Sequence, residues 1–203
     1  KRNARANVDE LEHTLDRNRL DRAALDAMWA ACNAARPALL RYLDRKNQLS
    51  GNESLHPWNL RAPLQLEEEP PLSWGQTCSE IIASFGNFDE NMAAFADRAL
   101  KEGWVDAVPG PNRRMGGFCA SVQGIQESRI FMTFSGTSRS AMTLAHELGH
   151  AWHNDVLFDQ APSRRSITSS TAESASTFGE ALFRDHLFEQ APNDAIRIQM
   201  LDQ

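Results

Sequence analysis

The chain has little with which to cross-link itself, cross a bilayer or hold a polyanion. Its 203 residues include three cysteines, Cys32, Cys78 and Cys119, far apart and without Cys-x-x-Cys spacing. That argues against a disulfide framework and a thiolate zinc site and fits a reducing cytoplasm, with each thiol expected as a small buried hydrophobe. Basic residues number 21 against 27 acidic ones, a net charge of −6. A nucleic-acid or anionic-membrane partner would need a basic face. No apolar run approaches the ~20 residues of a membrane span, and Lys1-Arg2-Asn3-Ala4-Arg5 lacks the apolar centre of a signal peptide. The chain also lacks an initiator Met, so we expect a piece of a longer protein. Its length allows one domain with a sizeable core. We expect an N-terminal helical segment over residues 1–50 and a core over 51–203.

Periodicity outlines the elements. Val8, Leu11, Leu15, Leu25, Met28, Trp29 and Cys32 recur at helical spacing, which predicts one long amphipathic helix to about Ala35. Pro37 either kinks it or opens a second helix that Gly51 stops. Residues 52–72 read as an extended connection, with Glu67 to Glu69 as a solvated face. Ser73 and Gln76 have capping-box spacing for a helix over Trp74 to Phe85 ending at Gly86, and Asp89 caps another closed by Gly103. Phe118 to Val122 and Arg129 to Phe134 read as a hairpin. Before it, Gly116-Gly117 allows either an ordinary turn or the close approach of another backbone, as an edge strand pairing with a peptide would need. A helix from Ser138 or Ser140 presents Leu144, Leu148 and Trp152 to the core. Another begins near Ser170, and a short one at Asn193 or Asp194.

The chemistry lies in Leu144-Ala145-His146-Glu147-Leu148-Gly149-His150-Ala151-Trp152-His153. Positions i and i+4 share a helix face, about 6 Å apart along the axis, so His146 and His150 can address one ion. Glu147, about 100° round the helix, can reach a water on that ion. Such a match arises by chance in on the order of one per cent of chains this long, so a third ligand is needed. His153 lies about 10.5 Å from His146 along the axis, too far for one rigid helix to bring both to one ion. It is either a supporting residue or a polar helix end. Glu173 and Glu180 lie seven apart on one face of the next helix. Glu173 also forms Ser-x-x-Glu with Ser170, a local capping role, and spacing alone does not choose between the two glutamates.

From Gly103-Trp104-Val105-Asp106, through Gly116-Gly117-Phe118-Cys119 and the histidine motif, to Ala172-Glu173-Ser174-Ala175-Ser176-Thr177-Phe178-Gly179-Glu180, the chain resembles oligoendopeptidase F. That is a bacterial branch of the thimet oligopeptidase family of zinc metallopeptidases. The resemblance covers roughly residues 40 to 190, and its most specific part is the ordered pair of motifs. It implies a mainly α, zincin-like helical catalytic core around a deep channel, with a small hairpin or sheet beside the active-site helix. It implies zinc on His146, His150 and Glu173, and Glu147 as general base toward a zinc-bound water. It implies His153 and Glu180 in support, with the strand of Gly117, Phe118, Cys119, Ala120 and Ser121 beside the substrate backbone. The implied activity is hydrolysis of internal bonds in short peptides.

The chain departs from the family past the helix of Glu173 and Glu180, where members carry tyrosine and histidine side chains that stabilise the tetrahedral intermediate. Here the only tyrosine is Tyr42, and His186 is the only histidine after Glu173. Losing one such donor costs about 10² to 10³ in rate. A non-catalytic module, stabilised by the same zinc or binding peptides without turnover, is the competing expectation. A thermolysin-like site would place a carboxylate where Thr177 stands. Neither substrate preference nor oligomeric state is legible in the sequence.

Overall fold

The computed structural model describes residues 10–52, 54, 56–60, 62–68 and 70–202. Val8 and the chain before it, where the first helix was expected to begin, lie outside the described residues, as does Glu69. The chain divides into two compact units, one of residues 1–65 with 168–170, the other of residues 66–167 and 171–203.

In the first unit the expected single helix is two, α1 (Glu10–Asn18) and α2 (Arg22–Leu49). Arg19 takes a left-handed φ of 55°, a conformation few non-glycine residues adopt. Asp21 then caps α2 by accepting from the Ala24 N–H at 2.7 Å. Pro37 does not open a new helix but lies inside α2. Its fixed φ suits a helix, and the alanines on both sides carry the helix past the missing N–H. Gly51, at φ 67°, follows the helix end as expected. Much of α2 is exposed, Met28 and Trp29 among it, and so is Cys32, contrary to its expected burial.

The second unit is mainly helical, as the sequence indicates. Its elements are α3 (Trp74–Phe88), α4 (Glu90–Lys101), β1 (Val105–Asp106), β2 (Gly117–Val122), β3 (Glu127–Met132), α5 (Ser138–Phe158), α6 (Ser169–Gln190, from residue 171) and α7 (Asp194–Asp202). The capping chemistry read from sequence is in place at Ser73, Gln76 and Asp89. Gly86 does not stop α3, which runs on to Phe88 before Asp89 turns the chain. α5 starts at Ser138, one of the two expected starts, with Thr137 as its cap and Ser140 completing a reciprocal box with it.

The strands form one mixed sheet of order β1-β3-β2, with β1 parallel and β2 antiparallel to β3. β3 begins two residues earlier than expected, because Val122 pairs with Glu127 across the turn. β1, two residues long, carries too little periodicity to be seen in sequence. Ile130 and Met132 point from the sheet into a core shared with Ile81 and Phe85 of α3, Phe95 of α4, and Leu144 and Leu148 of α5. Burying such side chains contributes about 1.5 to 3 kcal/mol each, so α5 is anchored on its apolar face while the histidines occupy another. Among the described residues no helix is long and apolar enough to cross a membrane.

Candidate metal centre

His146 and His150 stand one turn apart on α5, with ring centroids 5.0 Å apart and planes at 84°. Among the described residues, one group of three His, Cys, Asp or Glu side chains converges: His146, His150 and Glu173, whose ligand atoms all lie within 4.8 Å of one another. Glu173 Oε2 lies 3.4 Å from His146 Nε2 and 3.5 Å from His150 Nε2. Both distances exceed those of a good N–H···O bond. They match the ~3.3 Å edge of a tetrahedron whose ligands sit about 2.0 to 2.1 Å from a central zinc. Two imidazole nitrogens and one carboxylate oxygen also form the donor set of an open zinc site, so the residues present fit that ion.

Each of the three side chains is held from behind. Glu180 Oε2 lies 3.0 Å from His146 Nδ1. Accepting that N–H fixes the tautomer that leaves Nε2 free to ligate. His150 hydrogen-bonds the backbone of Ala172, and burial, its largest influence, lowers its pKa. The neutral ring that a metal needs is thereby favoured. The Ser176 hydroxyl donates toward Glu173 Oε2 at 2.9 Å and its backbone carbonyl at 3.0 Å. Ser176 is fully buried, and nothing in its local sequence marked it as a positioning residue.

Glu173 reaches the histidines because α5 and α6 touch backbone to backbone. A Cβ on Gly149 would stand 2.7 Å from the Ala175 carbonyl oxygen and 2.9 Å from Ser176 Cα. One on Gly179 would stand 2.9 Å from the Ala145 carbonyl oxygen and 3.3 Å from Gly149 Cα. Two glycines, each costing about 1 kcal/mol of helix propensity against alanine, thus permit an approach that a side chain at either position would obstruct. The signal was present as glycines in helix interiors, but only the crossing gives it meaning.

Glu147 points to the sheet side of α5. It is 5 % exposed, and among the described residues its Oε2 has no hydrogen-bond partner. Burial raises its pKa, His146 opposes this and Glu173 adds to it. A Cβ on Gly117 would meet Glu147 Oε1 at 2.9 Å, so any side chain there would press on the Glu147 carboxylate.

β2 is an edge strand, and its pairing parity shows what it offers. Thr133 N–H donates to the Gly116 carbonyl, and the register sets Phe118 against Phe131 and Ala120 against Arg129. Ile130 N–H donates instead to Trp104, on the β1 side. Alternation therefore aims the N–H and C=O of Gly117, Cys119 and Ser121 away from β3, toward the open edge.

The other expected site residues divide. The Cys119 side chain lies under the strand toward α5, with Asn154 Nδ2 3.9 Å from its sulfur, and burial pushes its thiol up to about 11. Phe118 and Ala120 project to the opposite face. His153 stands outside the converging group. Its Nδ1 is buried without a partner, and desolvation lowers its pKa.

Comparison with known proteins agrees with this architecture. The chain is 22% identical to oligopeptidase PepF of Bacillus subtilis over 192 residues, which cover 94% of this chain and 28% of that one. It is 26% identical to an oligoendopeptidase F homolog of Borreliella burgdorferi over 178 residues, 85% of this chain and 30% of that one. The chain thus spans less than a third of the length of these curated relatives. A crystal structure from Chlamydophila abortus, described as a peptidase, shares the fold with a TM-score of 0.78 at 20% identity, covering 95% of this chain and 32% of that one. The model of peptidase family M3 matches residues 9–202, and the chain belongs to that family.

Proposed function

We propose that this chain carries the catalytic centre of a zinc-dependent metallo-oligopeptidase that hydrolyses internal bonds of short peptides. The observation that carries the reading is the placement of His146 Nε2 and His150 Nε2 at tetrahedral-edge distances from Glu173 Oε2. Family membership and the likeness to oligopeptidases support it. His146, His150 and Glu173 would hold a zinc ion, which would supply Lewis acidity toward a peptide carbonyl and lower the pKa of a water toward about 7. Glu147 takes the proton of the attacking water and passes it to the leaving amine nitrogen. Its unpartnered Oε2 supports that role, because a structural carboxylate in a buried place is ordinarily paired. Glu180 keeps His146 in its ligating tautomer, and Ser176 holds the Glu173 carboxylate in place.

The edge of β2 offers the substrate backbone its three outward N–H and C=O pairs, as in strand addition. Gly117 sets the first pair directly over Glu147. Hydrogen bonding through the main chain accepts many peptide sequences, which suits an oligopeptidase.

The test is metal content and turnover in the protein as its gene encodes it. Zinc at one equivalent, and loss of quenched-peptide cleavage in Glu147→Gln with the zinc retained, is the expected pair of results. Undiminished cleavage by that variant would sink the mechanism. Retained zinc without peptide binding or cleavage in the unaltered protein would favour a non-catalytic zinc-stabilised module.

A further inference from the structure

The outer face of the sheet carries a row of side chains filled at three places and open at a fourth. At its inner end Arg113 donates to both carboxylate oxygens of Asp106, at 2.9 Å and 3.0 Å, and to the Met132 carbonyl at 2.8 Å. Its guanidinium carbon lies 3.9 Å from the Phe131 ring centroid. Phe131, paired with Asp106 on one side and Phe118 on the other, stacks on Phe118 at 5.4 Å and 23°. Phe118 is on the edge strand and remains 57% exposed. The row runs from Arg113, held over β1 by Asp106, through Phe131 of β3 to Phe118 of β2, and stops at the edge where a peptide strand would add.

We infer that Phe118 is a specificity-determining residue that takes an apolar, preferably aromatic, side chain of the bound peptide as the fourth member of the row. This deepens, and rests on, the peptide-hydrolase reading of the site. The register dictates which peptide residue it meets. Peptide residues paired with Gly117 and Cys119 exchange main-chain hydrogen bonds and direct their side chains to the α5 face. The residue between them sits opposite Phe118 and projects to the outer face. Directly opposed side chains on one face of an antiparallel pair have Cβ atoms about 4.5 to 5.5 Å apart, within reach of ring contact. Because Gly117 abuts Glu147, that residue lies beside the one nearest the reacting bond. Arg113 restrains Phe131 from behind, so the platform is in place before the peptide arrives and little ordering is needed on binding.

The experiment moves one phenylalanine through each position of an eight-residue alanine-rich quenched peptide, with cut sites read by mass spectrometry and kcat/KM measured for each. Binding to Glu147→Gln is measured in parallel. The unaltered protein should favour phenylalanine at one position within two residues of the cut by about two- to tenfold over alanine. Phe118→Ala should abolish that preference, lowering kcat/KM for the favoured phenylalanine peptide by more than for the all-alanine peptide, and Phe118→Leu should keep part of it. Cleavage without a positional preference, or a preference that survives Phe118→Ala, would overturn the inference and leave the hydrolase reading intact. Zinc-loaded protein that neither binds nor cuts any of the peptides would remove both.

Discussion

The two sides of the candidate centre are built differently. On the α5–α6 side every proposed ligand is braced: His146 by Glu180, His150 by Ala172, Glu173 by Ser176. On the α5–β2 side the groups that face the site are left open: among the described residues Glu147 Oε2 has no partner, and three main-chain pairs of β2 face an open edge. Bracing fixes the geometry that a small ion demands, and openness leaves to water and substrate the groups they must use. The contrast separates holding from reacting, and substitutions on the two sides should separate the same way.

The largest effect falls on the braced side. Glu173→Ala should lower zinc affinity more than any change behind the ligands, by about 10³-fold or more, as it removes one of three donors. Competition against a chromophoric chelator measures this, and affinity within tenfold of the parent would remove Glu173 from the ligand set. Next comes Gly149→Ala, whose new methyl would stand 2.7 Å from a backbone oxygen that cannot swing aside. Overpacking of this kind costs about 1 to 3 kcal/mol, a fall of a few to ~10 °C in Tm for a chain this size. Because the same crossing delivers Glu173, zinc affinity should fall with it. Glu180→Gln, which keeps the shape and weakens the acceptor, should cost about 10- to 100-fold in zinc affinity with little change in the metal-free Tm. A loss in Tm without one in affinity would make Glu180 a packing residue.

The same contrast explains what could be read from sequence. Features made by local chemistry were legible: the His146/His150 spacing, the Ser73 and Asp89 caps, the hairpin turn and the glycine after α2. The family resemblance, drawn from two spaced motifs, agrees with the match across residues 9–202. Features made by contacts between distant segments were not. Ser170 and Glu173 have the spacing of a cap as well as of a ligand, and only the helix crossing brings Glu173 to the histidines. The glycines that allow the crossing look like weak points in helices. β1 is too short to show a period, and the left-handed turn at Arg19 falls within a helical pattern, because a single backbone angle leaves no trace in hydrophobicity.

The smallest effect belongs to the open side and has a distinctive pH signature. Without metal, Glu147 is a buried carboxylate whose pKa burial raises above its ordinary 4.5. The folded state therefore binds its proton more tightly than the unfolded state does. Stability from that proton is fully present below about pH 4.5 and is lost as pH rises through the elevated folded value. A glutamine at this position would titrate nowhere, so the Glu147→Gln protein, stripped of metal, should gain stability relative to the parent as pH rises from about 4 to 7. The gain is read as a widening difference between the two Tm values as pH rises toward 7. His150 and His153, whose pKa values burial lowers, act in the other direction. Their neutral rings favour the fold above about pH 6.5 and lose that advantage below it in both proteins alike, so the difference between the two melting curves isolates Glu147. Zinc should then reverse the sign, since a nearby dication favours the carboxylate that burial disfavours. A gain that persists unchanged with zinc bound would place Glu147 out of reach of the ion and break the distinction between the reacting side and the holding side.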